Sequence, residues 1–166
     1  MMRIAAFALA LLATSSLSVA NEAGNDFGER EEGRWHVYAG GYSGWSAMDV
    51  GSIERDGDLV YFRSFGVNRS GPVNVDGLSA DFYILDRVYD CAAKLQWSRN
   101  VRYYRFDGTQ IHAKVLEAKP RPLTGSEAVH FSPMACGDET PRGGTSLNLL
   151  IRTGKEWHEA ASAAAD

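Results

Sequence analysis

The sequence lacks the short motifs that carry the best-known enzyme chemistries. It has no Gly-x-Ser-x-Gly elbow, because Ser43 follows Gly41 but has Trp45 where the second glycine is required. It also has no glycine-rich phosphate loop ending in Lys-Ser or Lys-Thr, and no dinucleotide-binding fingerprint after a strand. These absences argue against serine hydrolases of that type, P-loop nucleotidases and nicotinamide-dependent dehydrogenases.

Histidine is scarce, and its four copies are scattered along the chain. No two of them have the i, i+4 spacing that places two imidazoles on one face of a metal-binding helix. We therefore expect no metal, no cofactor and no enzymatic activity. One alternative stays open, a small periplasmic enzyme or ligand carrier with a site assembled from Asp, Arg and the distant histidines His36, His112, His130 and His158.

Long hydrophobic runs are missing as well. The one apolar run, residues 4–13, is too short to cross the roughly 30 Å hydrocarbon core of a bilayer. It follows a basic N-terminus and precedes Ser18-Val19-Ala20, whose small residues suit signal-peptidase cleavage between Ala20 and Asn21. No cysteine follows them, so a lipid anchor at that site is not expected. We predict that residues 1–20 are a signal peptide and that the product is periplasmic or secreted, without a membrane span.

Cysteine occurs only twice, at Cys91 and Cys136. An even pair in a chain destined for an oxidising compartment predicts one disulfide. The bond would close a long loop, for which chain entropy alone gives a stabilising contribution of roughly 4 kcal/mol. The alternative is a catalytic cysteine partnered by a histidine. Because neither cysteine lies in a Cys-x-x-Cys motif or in a setting that would lower its pKa, we favour the disulfide.

Basic residues are the minority, with 17 Lys and Arg against 21 Asp and Glu. A nucleic-acid partner needs a basic footprint, so this balance argues against one. The acidic excess is concentrated in residues 21–33, which hold few apolar groups and show no periodicity. We predict a flexible lead-in there and a nearly neutral domain from Arg34 onward. Net charge therefore does not identify the partner.

From Trp35 the pattern changes to short apolar runs separated by turn residues, which is typical of β-strands. The clearest signals are two Asp-Gly pairs, because glycine accepts the positive φ that a tight hairpin turn requires. Asp56-Gly57 predicts a hairpin between residues 47–55 and 58–65, and Asp107-Gly108 predicts one between 101–106 and 109–116.

Between the two hairpins the pattern is less regular. Residues 68–77 contain several Gly, Pro and Asn residues, and we interpret them as a loop. Residues 82–97 are rich in aromatic and β-branched side chains, which predicts either one long, bent strand or two strands.

Two capping-box sequences predict helices. Thr124-Gly-Ser-Glu127 begins a short helix that Pro133 stops, and Thr153-Gly-Lys-Glu156 begins a second one over residues 154–165. Between them we predict a strand, one face of which is formed by Leu147, Leu149 and Ile151. The predicted fold class is α+β, mainly an antiparallel β-sheet with one or two short flanking helices and one disulfide.

Arginine and aromatic residues alternate near the second hairpin. On a regular strand Arg99 and Arg105 face one side and Arg102 the other, so the three would not form a single basic tract. We interpret them mainly as solvated edge residues, which discourage aggregation between sheets. Arg99, Arg105 and Tyr103 are nevertheless the candidates that we retain for contact with a ligand.

Several of these positions together resemble the surface-adhesin protein E-like family of small exported bacterial proteins. The resemblance is carried, in chain order, by Trp35, Asp49-x-x-Ser52-Ile53, Asp90-Cys91, Tyr103-Tyr104-x-x-Asp107-Gly108, Gly125-Ser126 and Cys136. It implies an antiparallel β-sheet domain with a flanking helix and a disulfide between the two cysteines. It also implies adhesion to host extracellular-matrix and serum proteins as one candidate role.

The sequence departs from that family in two ways. It has no cysteine at the cleavage site to anchor it at a surface, and it carries an extension after Cys136. We predict a surface-adhesin E-like β domain over residues 34–136 and an extension with a helix over 137–166. Its predicted function is that of a noncatalytic exported module that binds a protein partner through strand edges and aromatic side chains. A structural subunit whose last helix docks on a partner is a further alternative.

Overall fold

The computed structural model describes residues 32–38, 44–68, 71–125, 127–137 and 143–163. The strands in these ranges are β1 (Trp35–Tyr38), β2 (Gly44–Asp56), β3 (Leu59–Asn68), β4 (Val73–Val75), β5 (Leu78–Ala80), β6 (Phe82–Asp90), β7 (Leu95–Tyr104), β8 (Gln110–Val115) and β9 (Arg121–Pro122). Seven of them form one antiparallel sheet in the order β1-β2-β3-β6-β7-β8, with β9 paired to β7. β1, β2 and β3 are consecutive in the chain, as are β6, β7 and β8, and the connection from β3 to β6 contains β4 and β5.

Both predicted Asp-Gly hairpins are confirmed. In the first, Asp56 pairs with Leu59, and Gly57 in the turn has a φ of 58°. The second joins β7 to β8, and Gly108 in its turn has a φ of 89°. Residues 82–97 form two strands rather than one, because a turn that contains Lys94 at a positive φ separates β6 from β7.

The prediction of a loop over residues 68–77 is wrong in part. β4 and β5 form a small two-stranded antiparallel sheet there, in which Val75 pairs with Leu78. The two turn residues, Asp76 and Gly77, both have a positive φ, and Asn74 Oδ1 accepts a hydrogen bond from the Gly77 N–H at 3.0 Å. This is a third Asp-Gly turn. Its flanking strands are too short to show a strand period in the sequence.

One face of the main sheet is partly covered by α2 (Leu147–Ala163). Leu147, Leu150 and Ile151 are buried in one cluster with residues from five strands, namely Trp35, Ala47, Phe65, Val67, Phe82, Ile84 and Tyr104. The predicted strand at 147–151 is therefore wrong. The i, i+3, i+4 spacing of the three buried residues is the apolar face of a helix, and this helix begins well before the predicted start at Gly154.

The opposite face is covered at its other end by a short helical segment. A π-helical turn, Glu127–Phe131, runs into α1 (Ser132–Cys136). Phe131 packs against Phe62 with ring centroids 5.9 Å apart, and Phe62 meets Tyr89 edge to face at 4.8 Å. Pro133 does not stop the helix as predicted. It lies in the first turn of α1, where a backbone N–H has no partner within the helix in any case.

Cys91 and Cys136 form the predicted disulfide, with Cα atoms 5.6 Å apart. The bond ties the end of α1 to the turn that follows β6. Arg55 holds the same end of α1, because its guanidinium donates hydrogen bonds to the carbonyl oxygens of Ala135 and Gly137 at 3.1 and 2.9 Å. A mainly antiparallel sheet with flanking helices and this disulfide is compatible with the predicted α+β class.

The two edges of the sheet differ. At the β1 edge, Trp35 and Thr145 exchange two backbone hydrogen bonds of 3.0 and 2.7 Å. At the other edge, β8 pairs with β7 alone among the described strands. The segment before α2 thus protects the first edge, and the outer side of β8 has no described strand beside it.

The predicted signal peptide, its cleavage site at Ala20 and Asn21, and the lead-in as far as residue 31 lie outside the described residues. In the part of the chain that is described, no helix is long and apolar enough to cross a membrane. The described chain begins beside the sheet, where the carbonyl oxygen of Glu32 accepts a hydrogen bond from Arg63 at 3.2 Å.

Candidate functional site

The sheet face that α2 covers is apolar under the helix and polar where the helix does not reach. Asp49, Arg63, Asp86 and Asn100 stand directly opposite one another on β2, β3, β6 and β7. Directly opposite residues of an antiparallel sheet share a face, so these side chains form one line across four strands. We call these four residues the polar row. On each of the first three strands, the residue two positions from the polar row already belongs to the apolar cluster under α2. These residues are Ala47, Phe65 and Ile84.

Asp49 anchors one end of the polar row. Its side chain is 1% exposed, and Oδ1 accepts hydrogen bonds of 2.9 Å from the backbone N–H groups of Arg34 and Gly51. Oδ2 accepts a hydrogen bond of 3.0 Å from Nε of Arg63 and a second from its Nη2. The guanidinium of Arg63 also lies 5.7 Å from the centroid of the Trp35 ring. Each oxygen of this carboxylate therefore has two donors, and Arg63 is held in place.

Gly33 makes room for the Asp49 carboxylate. A Cβ atom at residue 33 would lie 2.5 Å from Asp49 Oδ2 and 2.6 Å from Asp49 Cγ, well inside van der Waals contact. The chain that enters β1 can therefore close over Asp49 only because it has no side chain at this point.

Asp86 is the second carboxylate of the polar row. Arg102 donates two hydrogen bonds to it, one to each oxygen, and Asn100 donates a third, all at 2.9 Å. Burial alone would raise the pKa of Asp86, but the hydrogen bonds from Arg102 and Asn100, together with the charge of Arg102, outweigh it and lower the pKa. The carboxylate is therefore ionised at neutral pH and oriented by two neighbours.

A β-bulge brings Arg99 to the same surface. Asp86 pairs with Asn100 and Arg87 pairs with Ser98, which leaves Arg99 as the extra residue on β7. Its guanidinium lies 5.6 Å from the centroid of the Tyr61 ring. The predicted alternation, which puts Arg99 and Arg102 on opposite faces, is thus wrong here. Arg99 borders the same depression as Asp86, and Asp86 accepts hydrogen bonds from Arg102.

The depression has a volume of about 370 Å³ and is open to solvent. Tyr61 and Arg99 flank it, and the remaining lining comes from Ser52, Glu54, Phe62, Arg63, Asp86, Arg87 and Asn100. Ser52 is itself fixed, because its hydroxyl donates to the Asp49 carbonyl at 2.8 Å and accepts from the Arg63 N–H at 2.9 Å. Carboxylates, guanidinium groups and an aromatic ring are therefore presented together on a largely pre-ordered surface.

The other two candidates from the sequence lie elsewhere. Tyr103 pairs with Tyr83 on β6 and with His112 on β8, and its ring centroid is 6.3 Å from each of theirs. Arg105 follows the end of β7, where its backbone bonds to Thr109 across the hairpin turn. Of Arg99, Arg105 and Tyr103, the structure brings only Arg99 to the polar row.

The four histidines lie on different elements of the structure. His112 lies 3.5 Å from the Asp76 carboxylate, His158 contacts the Phe106 ring at 6.0 Å, His36 lies on β1 and His130 lies in the π-helical turn. Among the described residues, no group of three or more His, Cys, Asp or Glu side chains could hold a metal ion. The site assembled from distant histidines, the alternative left open by the sequence, gains no support from the described part of the chain.

Most of the polar row was missed from the sequence. Asp49 and Ser52 belong to the resemblance to the adhesin E-like family, but the sequence does not single out Arg63, Asp86 or Asn100. The available signal was a charged residue inside an otherwise apolar strand, as Asp86 and Arg87 are in Phe82–Asp90. Such a residue needs a partner on a neighbouring strand, and that partner is fixed by register, which the sequence did not provide.

No family model, no curated protein and no solved structure matches this chain. The resemblance to the surface-adhesin protein E-like family therefore stays a prediction.

Proposed function

We propose that this chain is a noncatalytic, exported binding module of the surface-adhesin E-like type, and that it contacts a protein partner through the polar row and the depression beside it. The observation that carries the proposal is the contrast on one sheet face. Where α2 packs, the face is apolar and buried, and where α2 is absent it presents charged groups already bonded to one another.

Pre-ordered polar groups favour binding because little side-chain entropy is lost when a partner arrives. Arg63 is fixed by Asp49, and Asp86 is fixed by Arg102 and Asn100. Tyr61 and Arg99 add two residue types that dominate the energetics of protein interfaces. Both signs of charge are present in the row, so we expect a partner surface with a complementary pattern rather than a uniformly charged one.

The chemistry of Asp86 supports binding over acid catalysis. A general acid has to be protonated near the working pH, which requires a raised pKa. The pKa of Asp86 is lowered, and both of its oxygens accept hydrogen bonds from Arg102. At neutral pH this group acts as a fixed anion.

Export is supported by the disulfide between Cys91 and Cys136, since such bonds form and persist in oxidising compartments. The signal peptide predicted over residues 1–20 would deliver the chain there. Periplasmic retention and release are both consistent with this route.

A photo-crosslinking experiment tests the proposal. A photoreactive phenylalanine analogue is placed at Tyr61, at exposed Glu54 in the lining of the depression or, as a control, at exposed Glu156 on α2, in a chain of residues 21–166. Each protein is irradiated with periplasmic extract and with immobilised matrix and serum proteins. We expect one discrete adduct from the first two positions and none from the third.

The adduct should disappear when unlabelled chain is added in excess, and excess Y61A/R99A chain should not displace it. Adducts with matrix or serum proteins would support the adhesin role, and adducts with a periplasmic protein would support a module that acts inside the cell envelope. Equal labelling from residue 156, or no adduct from either source, would contradict the proposal.

A further inference from the structure

A second polar cavity lies at the other end of β7, beyond the polar row. Its volume is about 600 Å³, and it opens where the chain leaves β8 and returns as β9. Arg87 and Gln96 lie at its base, and Trp97, Lys114, Lys119 and Arg121 line its walls. We call these six residues the basic cleft.

The base of the basic cleft is a buried network. Arg87 is 8% exposed and Gln96 is fully buried. Nη2 of Arg87 donates to Gln96 Oε1 at 2.8 Å and to Glu127 Oε1 at 2.7 Å, and Gln96 donates to Glu127 through its amide. Nε of Arg87 is buried and has no hydrogen-bond partner in the described part of the chain. A buried guanidinium with an unused donor therefore lies at the base of the cavity.

Positive charge outweighs negative charge around this cavity. Glu127 is shared by Arg87 and Arg121, which lie 2.7 and 2.8 Å away. Burial alone would raise the pKa of Glu127, but the charge of Arg87 and hydrogen bonds from Arg121 and Gln96 lower it, so one anion faces two cations. Lys119 pairs with Glu117 at 3.1 Å, and Lys114 has no ion pair among the described residues. The cavity is therefore suited to an anionic ligand.

The cavity adjoins the open edge of the sheet. The Leu116 N–H donates to the Arg99 carbonyl at 2.7 Å, so Leu116 turns its backbone toward β7. Because hydrogen-bonded and non-bonded pairs alternate in an antiparallel ladder, Lys114 also bonds toward β7, and Ala113 and Val115 point their N–H and C=O groups outward. Val115 is 80% exposed. Among the described residues, these outward-facing backbone groups have no strand beside them, and they run next to the Lys114 side chain.

We propose that the outer edge of β8 and the basic cleft together bind an extended acidic peptide segment of a partner protein by β-strand addition. The backbone of the peptide pairs with Ala113 and Val115, and its acidic side chains meet Lys114, Lys119 and the guanidinium of Arg87. Main-chain hydrogen bonds supply affinity and the cations select acidic sequences. The linings of this cleft and of the depression beside the polar row share Arg87, but the edge of β8 and Lys114 lie outside the first site, so they form a second contact surface.

The test uses a fluorescein-labelled octapeptide of alternating Glu and Val, and a matched peptide of alternating Lys and Val. Each is titrated with the chain of residues 21–166 and followed by fluorescence anisotropy. We expect saturable binding of the Glu-Val peptide alone. K114E should weaken it about tenfold or more, since it replaces an attraction with a repulsion. K155E, at an exposed lysine on α2, is the matched charge reversal and should leave the affinity unchanged.

A Glu-Val peptide that is N-methylated at alternate residues separates strand addition from charge attraction, because it keeps the acidic groups and loses half of the backbone donors. We expect this peptide to bind about tenfold more weakly or not at all. Equal affinity of the methylated peptide, equal loss in K114E and K155E, or binding of the Lys-Val peptide would each overturn the proposal. Y61A should bind the Glu-Val peptide normally, so failure here is distinguishable from failure of the polar row as a binding surface.

Discussion

Different interactions stabilise the two halves of one sheet face. Under α2, Phe82 stacks on Tyr104 at 5.0 Å and Trp35 meets Phe65 edge to face at 6.3 Å, in a cluster with the apolar side of the helix. In the other half, Asp49 and Asp86 bind guanidinium groups. Because the same strands cross both halves, the change takes place within two residues of each strand, as from Phe65 to Arg63. A sheet can thus carry an apolar core and an ordered polar surface on one face if a helix covers only part of it.

The largest loss of stability should follow a substitution in the half of the sheet face that α2 covers. Leu150→Ala removes a fully buried side chain from the interface between α2 and the sheet. We expect a loss of about 3 kcal/mol in the free energy of unfolding, from lost apolar contact and a residual cavity. Urea denaturation followed by circular dichroism measures it. Leu149→Ala, at a neighbouring residue that is 40% exposed, is the control and should change the midpoint little. Similar losses in both variants would mean that α2 does not pack as described.

In the open half, Asp49→Ala should have the next largest effect. It removes the acceptor used by Arg34, Gly51 and Arg63, and it leaves the guanidinium of Arg63, 18% exposed, without that carboxylate. We expect a loss of about 2 kcal/mol, because buried donors then lack their acceptor. The same urea titration applies. Glu117→Ala, which breaks an exposed ion pair with Lys119, should have almost no effect on stability. An Asp49 variant as stable as the wild type would show that the hydrogen bonds of the polar row do not stabilise the fold.

Acidic pH should reveal the contribution of Asp86. Its pKa in the folded chain lies below its ordinary value of 3.8, so folding favours the ionised form. The resulting stability is present above the unfolded pKa and is lost as the pH falls through the folded pKa. The difference in urea midpoint between wild type and Asp86→Asn should therefore shrink from about pH 6 to about pH 3. A difference that is constant with pH would assign the effect of the substitution to shape instead of charge.

The smallest change in stability should follow Tyr61→Ala and Arg99→Ala. These residues border the depression and meet in a cation–π contact, which is worth less than about 1 kcal/mol at an exposed position. We expect nearly unchanged urea midpoints together with loss of competition in the crosslinking experiment. A large loss of stability in either variant would place that residue with the covered half, and the boundary between the two halves would need to be redrawn.

Local structure was predictable where turn chemistry is strong. The Asp56-Gly57 and Asp107-Gly108 hairpins and the Cys91–Cys136 bond follow from properties of a few adjacent residues or from a simple count. Residues 147–151 were misassigned because Leu147, Leu149 and Ile151 fit an alternating pattern while Leu147, Leu150 and Ile151 fit a helical one. Tertiary packing decides between the two, since only the helical set is buried as a group.

The candidate site was less predictable than the fold. Arg99 was named from the sequence, but its orientation depends on a bulge between Asp86 and Arg87 and their β7 partners, which has no local signature. Asp49 and Arg63 lie on adjacent strands and meet only because of the register of β2 and β3. Long-range pairing of this kind is a property of the whole sheet.

The position of α2 in the core has a consequence for how the chain matures. Trp35, in the first described strand, shares a cluster with Leu150 and Ile151 and exchanges backbone hydrogen bonds with Thr145. Because a chain is synthesised from its N-terminus, this cluster cannot be completed until the last helix has emerged from the ribosome. The apolar face around Trp35 therefore stays uncovered until the end of the chain has been made, and packing of α2 is the step that closes the domain.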